Sequence, residues 1–391
     1  MRRALILENG LGCVLPAARS LSRAGWTVGV GAPFENPRER GSRAIDHRHL
    51  VPRPEASIDG FLAAIEQATE EVGYDIVFPA DDASVLALSA SRERLRPIVP
   101  YPAHDVVLGG IDKLELTRAA QDQGIAVPHT EMATASAIEA CALPVIVKPR
   151  LQWTPGAVAQ TGELFIERAE VRDAVRRRVR DIEGAGGSAV LQAPMNGRQI
   201  AVSAVVARDG RMVAAAQQTT LRYSLVQTST RAVTLEADEA LLEQITGMLG
   251  RIGWWGLANL QFLEPEGGGA PHLIDLNGRY YGSLALAIAA GADLPAIWAA
   301  CAIGDPPVHR VTARAGVRFH ALESDLVRAR QERVGGLVRD VARTVSFAPG
   351  AAHTLWSIRD PVPAVRWAGS LAGRLLRRAV RRGAGDGSSD Q

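Results

Sequence analysis

Cysteine is scarce in this chain. Cys13, Cys141 and Cys301 stand far apart, with neither a CxxC spacing nor the even count of a disulfide framework, so a sulfur-ligated metal site and a disulfide scaffold are excluded and a reducing compartment is expected. Excess charge is also missing, at a net +2 over 391 residues, and the aromatic 5% is not interleaved with the arginines. Nucleic acid is therefore not an expected partner. No stretch supplies the roughly 18 uninterrupted apolar residues of a membrane span. The basic, then apolar, opening from Met1 is cut at Glu8, Asn9 and Gly10, well short of a signal-peptide core. These absences together predict a cytoplasmic protein. No Ser-His-Asp or Cys-His constellation is visible, and His309, His320 and the other histidines form no metal-like cluster, so neither a covalent nucleophile nor a histidine metal centre is expected.

What is present is the make-up of a folded globular protein, 47% hydrophobic and 22% charged, long enough for two or three domains. Ala4 to Leu7 reads as a buried strand, Val14 to Ala24 as a helix stopped by Gly25, and Trp26 to Val30 as a second strand. This βαβ opening predicts a parallel sheet with helices on its faces. Gly10-x-Gly12 lacks the third glycine of a dinucleotide fingerprint, and Gly31-Ala32-Pro33 follows the second strand without a ribose-binding acid. A helix over Ile58 to Glu71 and a strand over Asp75 to Pro79 follow. Asp81 and Asp82 then sit at the carboxyl end of that strand, where α/β sheets place ligands; either contacts substrate or caps a helix.

Further on, Asp112-Lys113 opens a helix that stops at Gly124, Ile125 to Val127 is strand-like, and Ala142 to Pro149 is a strand ending in Lys148. A buried strand rarely ends in a cation unless the cation snorkels or meets an anion. Val171 to Arg180 reads as an arginine-rich helix with a solvated face. Ala189 to Met195 and Gln199 to Ala207 are strands. Gln218 to Tyr223 precedes a strand-like region ending at Leu235.

Two later runs, Gly256 to Leu263 and Leu273 to Asn277, alternate with period two, and Glu264-Pro265-Glu266-Gly267-Gly268-Gly269 separates them as a hairpin turn would. Antiparallel pairing puts Gln261, Asp275 and Asn277 on one face. That face either meets water or holds a hard cation, because oxygen donors without sulfur or imidazole suit Mg²⁺ sharing its shell with phosphates. Arg279 lies two residues past the last donor.

Asp112-Lys113, Gly124 through Pro128, Val145-Ile146-Val147-Lys148-Pro149, Leu191-Gln192 before a glycine turn, Gln261, and Asp275-x-Asn277-x-Arg279 followed by Gly282-Ser283 occur in that order. The set resembles the ATP-grasp superfamily, in particular the branch around carbamoyl phosphate synthetase, biotin carboxylase and the carboxylate-amine ligases. The resemblance implies a Rossmann-like N-terminal domain over 1–110, an ATP-grasp domain of two α+β subdomains over 111–305 with a lid subdomain near 148–195, and a C-terminal extension over 306–391. It implies that Lys113 and Lys148 hold nucleotide phosphates and that Gln192, Ala193, Met195 and Gln199 surround the nucleoside. Gln261, Asp275 and Asn277 would ligate Mg²⁺, with Mn²⁺ an acceptable substitute, and Arg279 would steady the transferring phosphoryl group. Arg222, Asp81 and Gly282 are the substrate candidates, Arg222 being a carboxylate contact or an exposed loop arginine.

The chain departs from the family at Ala193, where an acid is usual, at Gln199, where a ribose-binding glutamate is expected, and at Asp275, which replaces a glutamate. Its lid offers only Gly156 and Gly162. The activity implied is an ATP-dependent ligation of a small-molecule carboxylate to an amine; the alternative is a nucleotide-binding protein of the same fold without turnover. The sequence does not specify an oligomeric state. Val365 to Arg382 reads as a basic amphipathic helix, which would either lie on an anionic membrane surface or dock on its own protein, and Gly383 to Gln391 reads as a polar tail.

Overall fold

The computed structural model describes residues 2–8, 12–34, 41–79, 81–153, 167–224 and 228–370. Gly156 and Gly162, Gly10, the part of the expected helix from 371 to 382 and residues 383–391 lie outside them.

Strands β1 (Arg3–Leu7), β2 (Thr27–Ala32), β3 (His47–Leu50) and β4 (Ile76–Phe78) form a parallel sheet in the order β3-β2-β1-β4. Near-continuous apolar runs such as Ala4 to Leu7 suit strands covered on both faces, and these four residues are at most 3% exposed. The covering helices are α1 (Val14–Arg23), α2 (Ile58–Val72) and α3 (Asp82–Ala90). Ser57 caps α2 and left-handed Gly73 ends it; Asp81 caps α3 by accepting from the Ser84 amide. Then α4 (His104–Ile111) and α5 (Lys113–Gln121) meet at Asp112, which caps α5 through the amides of Leu114 and Glu115.

The second sheet is antiparallel, in the order β5-β8-β6-β7, from β5 (Thr130–Met132), β6 (Val145–Pro149), β7 (Glu167–Ala169) and β8 (Ala189–Gln192). Helices α6 (Ala135–Ala140) and α7 (Arg172–Gly184) close a separate small core around Val147, Val175, Ile182 and Leu191. The strand expected at Ile125 to Val127 is instead extended backbone without a ladder, sharing one hydrogen bond with Leu273. Pro128 favours that extended shape in the residue before it, and pairing begins only at Thr130.

The third sheet has seven strands in the order β13-β12-β9-β10-β11-β15, with β14 beside β10. These are β9 (Gly197–Val206), β10 (Met212–Tyr223), β11 (Ser229–Thr234), β12 (Gly256–Pro265), β13 (His272–Asn277), β14 (Val311–Thr312) and β15 (Arg318–His320). Gln218 to Tyr223 therefore belong to β10 itself and are not a loop ahead of a strand; Tyr223 pairs with Ser229. Helices α8 (Glu239–Ile252), α9 (Leu284–Ala289) and α10 (Leu294–Ala302) pack here, and one hydrophobic core joins this sheet to the N-terminal one.

The C-terminal part carries α11 (Leu322–Glu332) and α12 (Leu337–Phe347) and a helical stretch at 362–370. Buried Asp325 accepts from Arg231 at 2.6 Å, Arg328 at 2.9 Å and His320 at 3.0 Å, and buried Asp340 accepts from Arg328 at 2.9 Å, so the two helices are pinned to β11 and β15. The chain then returns to the N-terminal sheet. Arg19 on α1 donates to Asp360 at 2.8 Å and to the carbonyls of Thr354, Leu355 and Asp360. Beyond that clasp, Ala364 is 1% exposed and Trp367 packs on the main core, while Val365 and Arg366 face solvent. The start of the basic C-terminal helix is thus docked on its own protein.

Candidate functional site

Three secondary-structure ends converge on one polar cluster. The first turn of α5 supplies Lys113, the last residues of β6 supply Lys148, and β13 supplies Asp275 and Asn277 with Arg279 just beyond. Lys113 Nζ lies 3.1 Å from Asp275 Oδ1, with 4% and 20% of the two side chains exposed. Lys148 Nζ donates to Gln192 Oε1 at 2.9 Å and to the Ile274 carbonyl at 3.3 Å. The two lysines are held together by a link behind them: Arg150 pairs with Asp112 at 2.6 Å, and its carbonyl accepts from the Lys113 amide. Thus the residue that caps α5 also fastens it to the strand delivering Lys148.

Among the described residues no carboxylate lies at ion-pair distance from Lys148. Burial, reinforced by the positive charge of Lys113 and opposed by Asp275, lowers its ammonium to about 7. A buried cation facing only neutral oxygens is costly until an anion arrives. Lys113 and Lys148 are also the only lysines in the sequence; the other 42 basic side chains are arginines. Lysine concentrates its charge on a compact ammonium that fits a narrow buried space, where the planar guanidinium needs a fork of acceptors.

The hairpin forms, with a register shift between Gln261 and Phe262 that breaks the alternation before Asp275: Gln261 faces Asp275 and Asn259 faces Asn277 across β12 and β13. Directly opposed residues of antiparallel strands share a face, so Gln261, Asp275 and Asn277 lie on one side. Asn259, which the reading of the sequence passed over, belongs to the same row. It is buried and donates to Ser203 at 2.8 Å, and its signal was the alternation Asn259-Leu260-Gln261. Gln199 donates to Gln261 at 3.3 Å and accepts from Thr220 at 3.3 Å.

Arg279 donates to Asn277 Oδ1 at 2.9 Å and to Asp82 Oδ1 at 3.0 Å. Asp82 comes from the N-terminal sheet's α3. Burial raises its carboxyl above the usual range against the pull of Arg279; burial alone would lower the Arg279 guanidinium, but Asp82 more than offsets this and holds it up. Of the adjacent acids, then, Asp81 is occupied as a helix cap and Asp82 enters the cluster. Behind it, Tyr101 donates to the Gly278 carbonyl. A Cβ on Gly278 would fall 2.5 Å from the Trp254 ring, so only glycine lets the strand end lie against the aromatic group of Phe78, Tyr101, Trp254, Tyr280 and Trp298.

The remaining candidates are placed unevenly. Gln192 is buried and bridges Lys148 to Thr130. Ala193 is exposed, with its amide donating to His129, and Met195 is half-buried just after β8. Gly282 sits in the turn before α9, next to Ser283, which exchanges hydrogen bonds with Gln218. Arg222 is a strand residue. Its guanidinium lies 3.7 Å from Asp325 and 3.6 Å from Asp340, among the groups that pin the C-terminal helices. Among the described residues no three His, Cys, Asp or Glu side chains gather as a metal site, and no helix is long and apolar enough to cross a membrane.

Residues 188–324 match the family model described as ATP-grasp in the biosynthetic pathway with Ter operon. The chain has the ATP-grasp fold. It is similar to the L-amino acid ligase of Bacillus licheniformis, at 15% identity and a TM-score of 0.59 over 77% of this chain and 74% of that one. It is also similar to the biotin carboxylase domain of Hydrogenobacter thermophilus 2-oxoglutarate carboxylase, in complex with MgADP, ADP and bicarbonate, at 14% identity and 0.63 over 81% and 73%. N5-carboxyaminoimidazole synthetase of Staphylococcus aureus aligns at 13% identity and 0.62 over 85% and 86%. No curated protein matches the sequence. The ATP-grasp resemblance read from the six ordered segments therefore holds at the level of fold.

Proposed function

We propose that this ATP-grasp chain activates a small-molecule carboxylate as an acyl phosphate and joins it to an amine, with release of ADP and phosphate. One observation carries the reading: Lys113 and Lys148, from separate elements, both reach β13, at Asp275 and at the Ile274 carbonyl, and Asn277 and Arg279 are bonded to each other at the end of the same strand. A carboxylate is a poor electrophile. Its oxygen attacks the γ-phosphorus of ATP as the bond to the ADP oxygen breaks; the amine then attacks the acyl carbon, the C–O electron pair leaves with phosphate, and the amine sheds its proton. Lys113 and Lys148 would hold the phosphate oxygens and Arg279 the transferring group, so the protein acts as an electrostatic clamp.

Gln261, Asp275 and Asn277 offer oxygen donors only, with a single carboxylate among them that is already paired with Lys113. This set fits Mg²⁺, or Mn²⁺ in its place, arriving with phosphate ligands of its own and not a standing ion. When bound, the ion would neutralise phosphate charge. The division at 1–110, 111–305 and 306–391 is part of this proposal, as is a cytoplasmic location.

Gln199 supports a second reading, a nucleotide-binding protein without turnover, because its amide is bonded within the sheet to Gln261 and Thr220. ADP release from Mg·ATP across a panel of acids and amines separates the two. Release that requires both an acid and an amine supports the ligase; tight Mg·ATP binding with no release across the panel overturns it.

A further inference from the structure

Charge is divided sharply along this chain. From residue 306 onward there are 15 arginines, no lysine and seven acids, a net +8, whereas the first 305 residues come to −6. Five of those acids lie in the described part of the extension, and four are buried: Glu323, Asp325, Asp340 and Asp360. The three aspartates are bonded to arginines of the protein itself. The fifth, Glu332, pairs with Arg328 at 2.5 Å. Four of the five described acids of the extension are thus turned inward and its surplus arginines outward, with Glu332 the one exposed acid, paired to Arg328.

A continuous exposed stretch lies at the tip of the α11–α12 hairpin, where residues 330–339 all face solvent. Val334 is 48%, Leu337 40% and Val338 84% exposed, and Arg330, Arg333 and Arg339 flank them. The turn is built from left-handed Arg333 and positive-φ Gly335 and Gly336. A groove beside it is lined by Val327, Arg330, Gln331 and Arg333. The base of the hairpin is fixed by the buried Asp325 and Asp340 network, so the tip projects from a rigid support. Aliphatic side chains ringed by arginines suit the boundary between anionic headgroups and acyl chains, which accepts both at once. Duplex nucleic acid would satisfy the arginines and leave the aliphatic apex in water.

We propose that the α11–α12 tip seats this protein on an anionic phospholipid surface, Val334, Leu337 and Val338 entering the acyl boundary and the three arginines meeting lipid phosphates. This site is separate from the basic helix anticipated from the sequence, whose start is docked on the protein. The full-length chain is floated with vesicles of phosphatidylcholine alone or mixed with phosphatidylglycerol. Binding is expected only to the mixed vesicles, weakening as salt rises. The substitutions R330Q, R333Q and R339Q together should weaken partitioning on the order of 100-fold, from about fivefold per arginine near the surface. V338S should also weaken it, with the melting temperature unchanged because that side chain is 84% exposed. A V338W variant should show a blue shift with mixed vesicles alone, and a chain ended at Ser370 should still bind. Binding that ignores the tip substitutions, that disappears when only 371–391 are removed, or that is matched by duplex DNA or an acidic protein in place of vesicles overturns the proposal.

Discussion

At the scale of single residues, the decisive feature is that two buried ammonium groups meet adjacent residues of β13, Lys113 at Asp275 and Lys148 at the Ile274 carbonyl. Because Lys148 titrates near 7 while a free lysine titrates near 10.5, the folded state holds fewer protons than the unfolded one between those values. Stability is therefore lowered below pH 7 and recovers as pH rises toward 10.5. Phosphate binding has the opposite preference, since it needs the ammonium. Affinity for Mg·ATP is expected to fall as pH rises through about 7, with proton uptake on binding above that pH, measurable by calorimetry in buffers of different ionisation enthalpy. With two lysines in the sequence, carbon-13 spectra of labelled lysine should show two side-chain signals, one with a midpoint near 7. A single shared midpoint near 10.5 would refute the buried position of Lys148. Lys148→Met should weaken ATP binding by about 10- to 100-fold, the worth of one charged hydrogen bond.

Asp82 makes a different prediction because it touches Arg279 and not the lysines. Asp82→Asn keeps the shape and removes the charge that orients the guanidinium, so turnover should drop on the order of 100-fold while the Kd for Mg·ATP changes little. Equal losses in both, with an unaltered melting temperature, would place Asp82 in nucleotide binding instead.

Among the elements, β13 and the turn after it do most to set the geometry. Leu276 is buried while its neighbour Asp275, on the opposite face of the strand, reaches the cluster, so a slip of one residue would turn the donors into the core. Gly278 is what allows the following turn to lie against Trp254. Gly278→Ala places a methyl inside that ring's contact distance and should cost about 1–3 kcal/mol by overpacking. The same shift moves Asn277 and Arg279, so thermal denaturation and ADP release should both report it. Normal activity with normal stability would mean that the ring moves freely.

At the scale of the whole molecule, the C-terminal extension is a fastening. Burial alone would raise the Asp325 carboxyl, but hydrogen bonds from His320, Arg328 and Arg231 override it and hold the group well below its ordinary value of 3.8. The stability it contributes is present above that value and is lost as pH falls beneath it. Asp325→Ala should cost about 3–5 kcal/mol, because Arg231 and Arg328 then stay buried with a lost partner. Asp325→Asn should show a melting temperature that declines less steeply than that of the parent chain below pH 4, roughly where a free carboxyl titrates.

The sequence by itself determined the parallel opening, because runs such as Ala4 to Leu7 are too apolar for anything but a buried strand. It also determined the hairpin that places Gln261 opposite Asp275, because period-two alternation leaves only one face for the polar side chains. It held a further signal in the solitary pair of lysines. Only the tertiary structure decided that Asp82 and not Asp81 reaches Arg279, that Arg222 faces the C-terminal acids, and that Gln192 supports Lys148. Each of these depends on a contact across scores of residues, and a local pattern fixes which face a side chain takes but not which distant element will be packed against it.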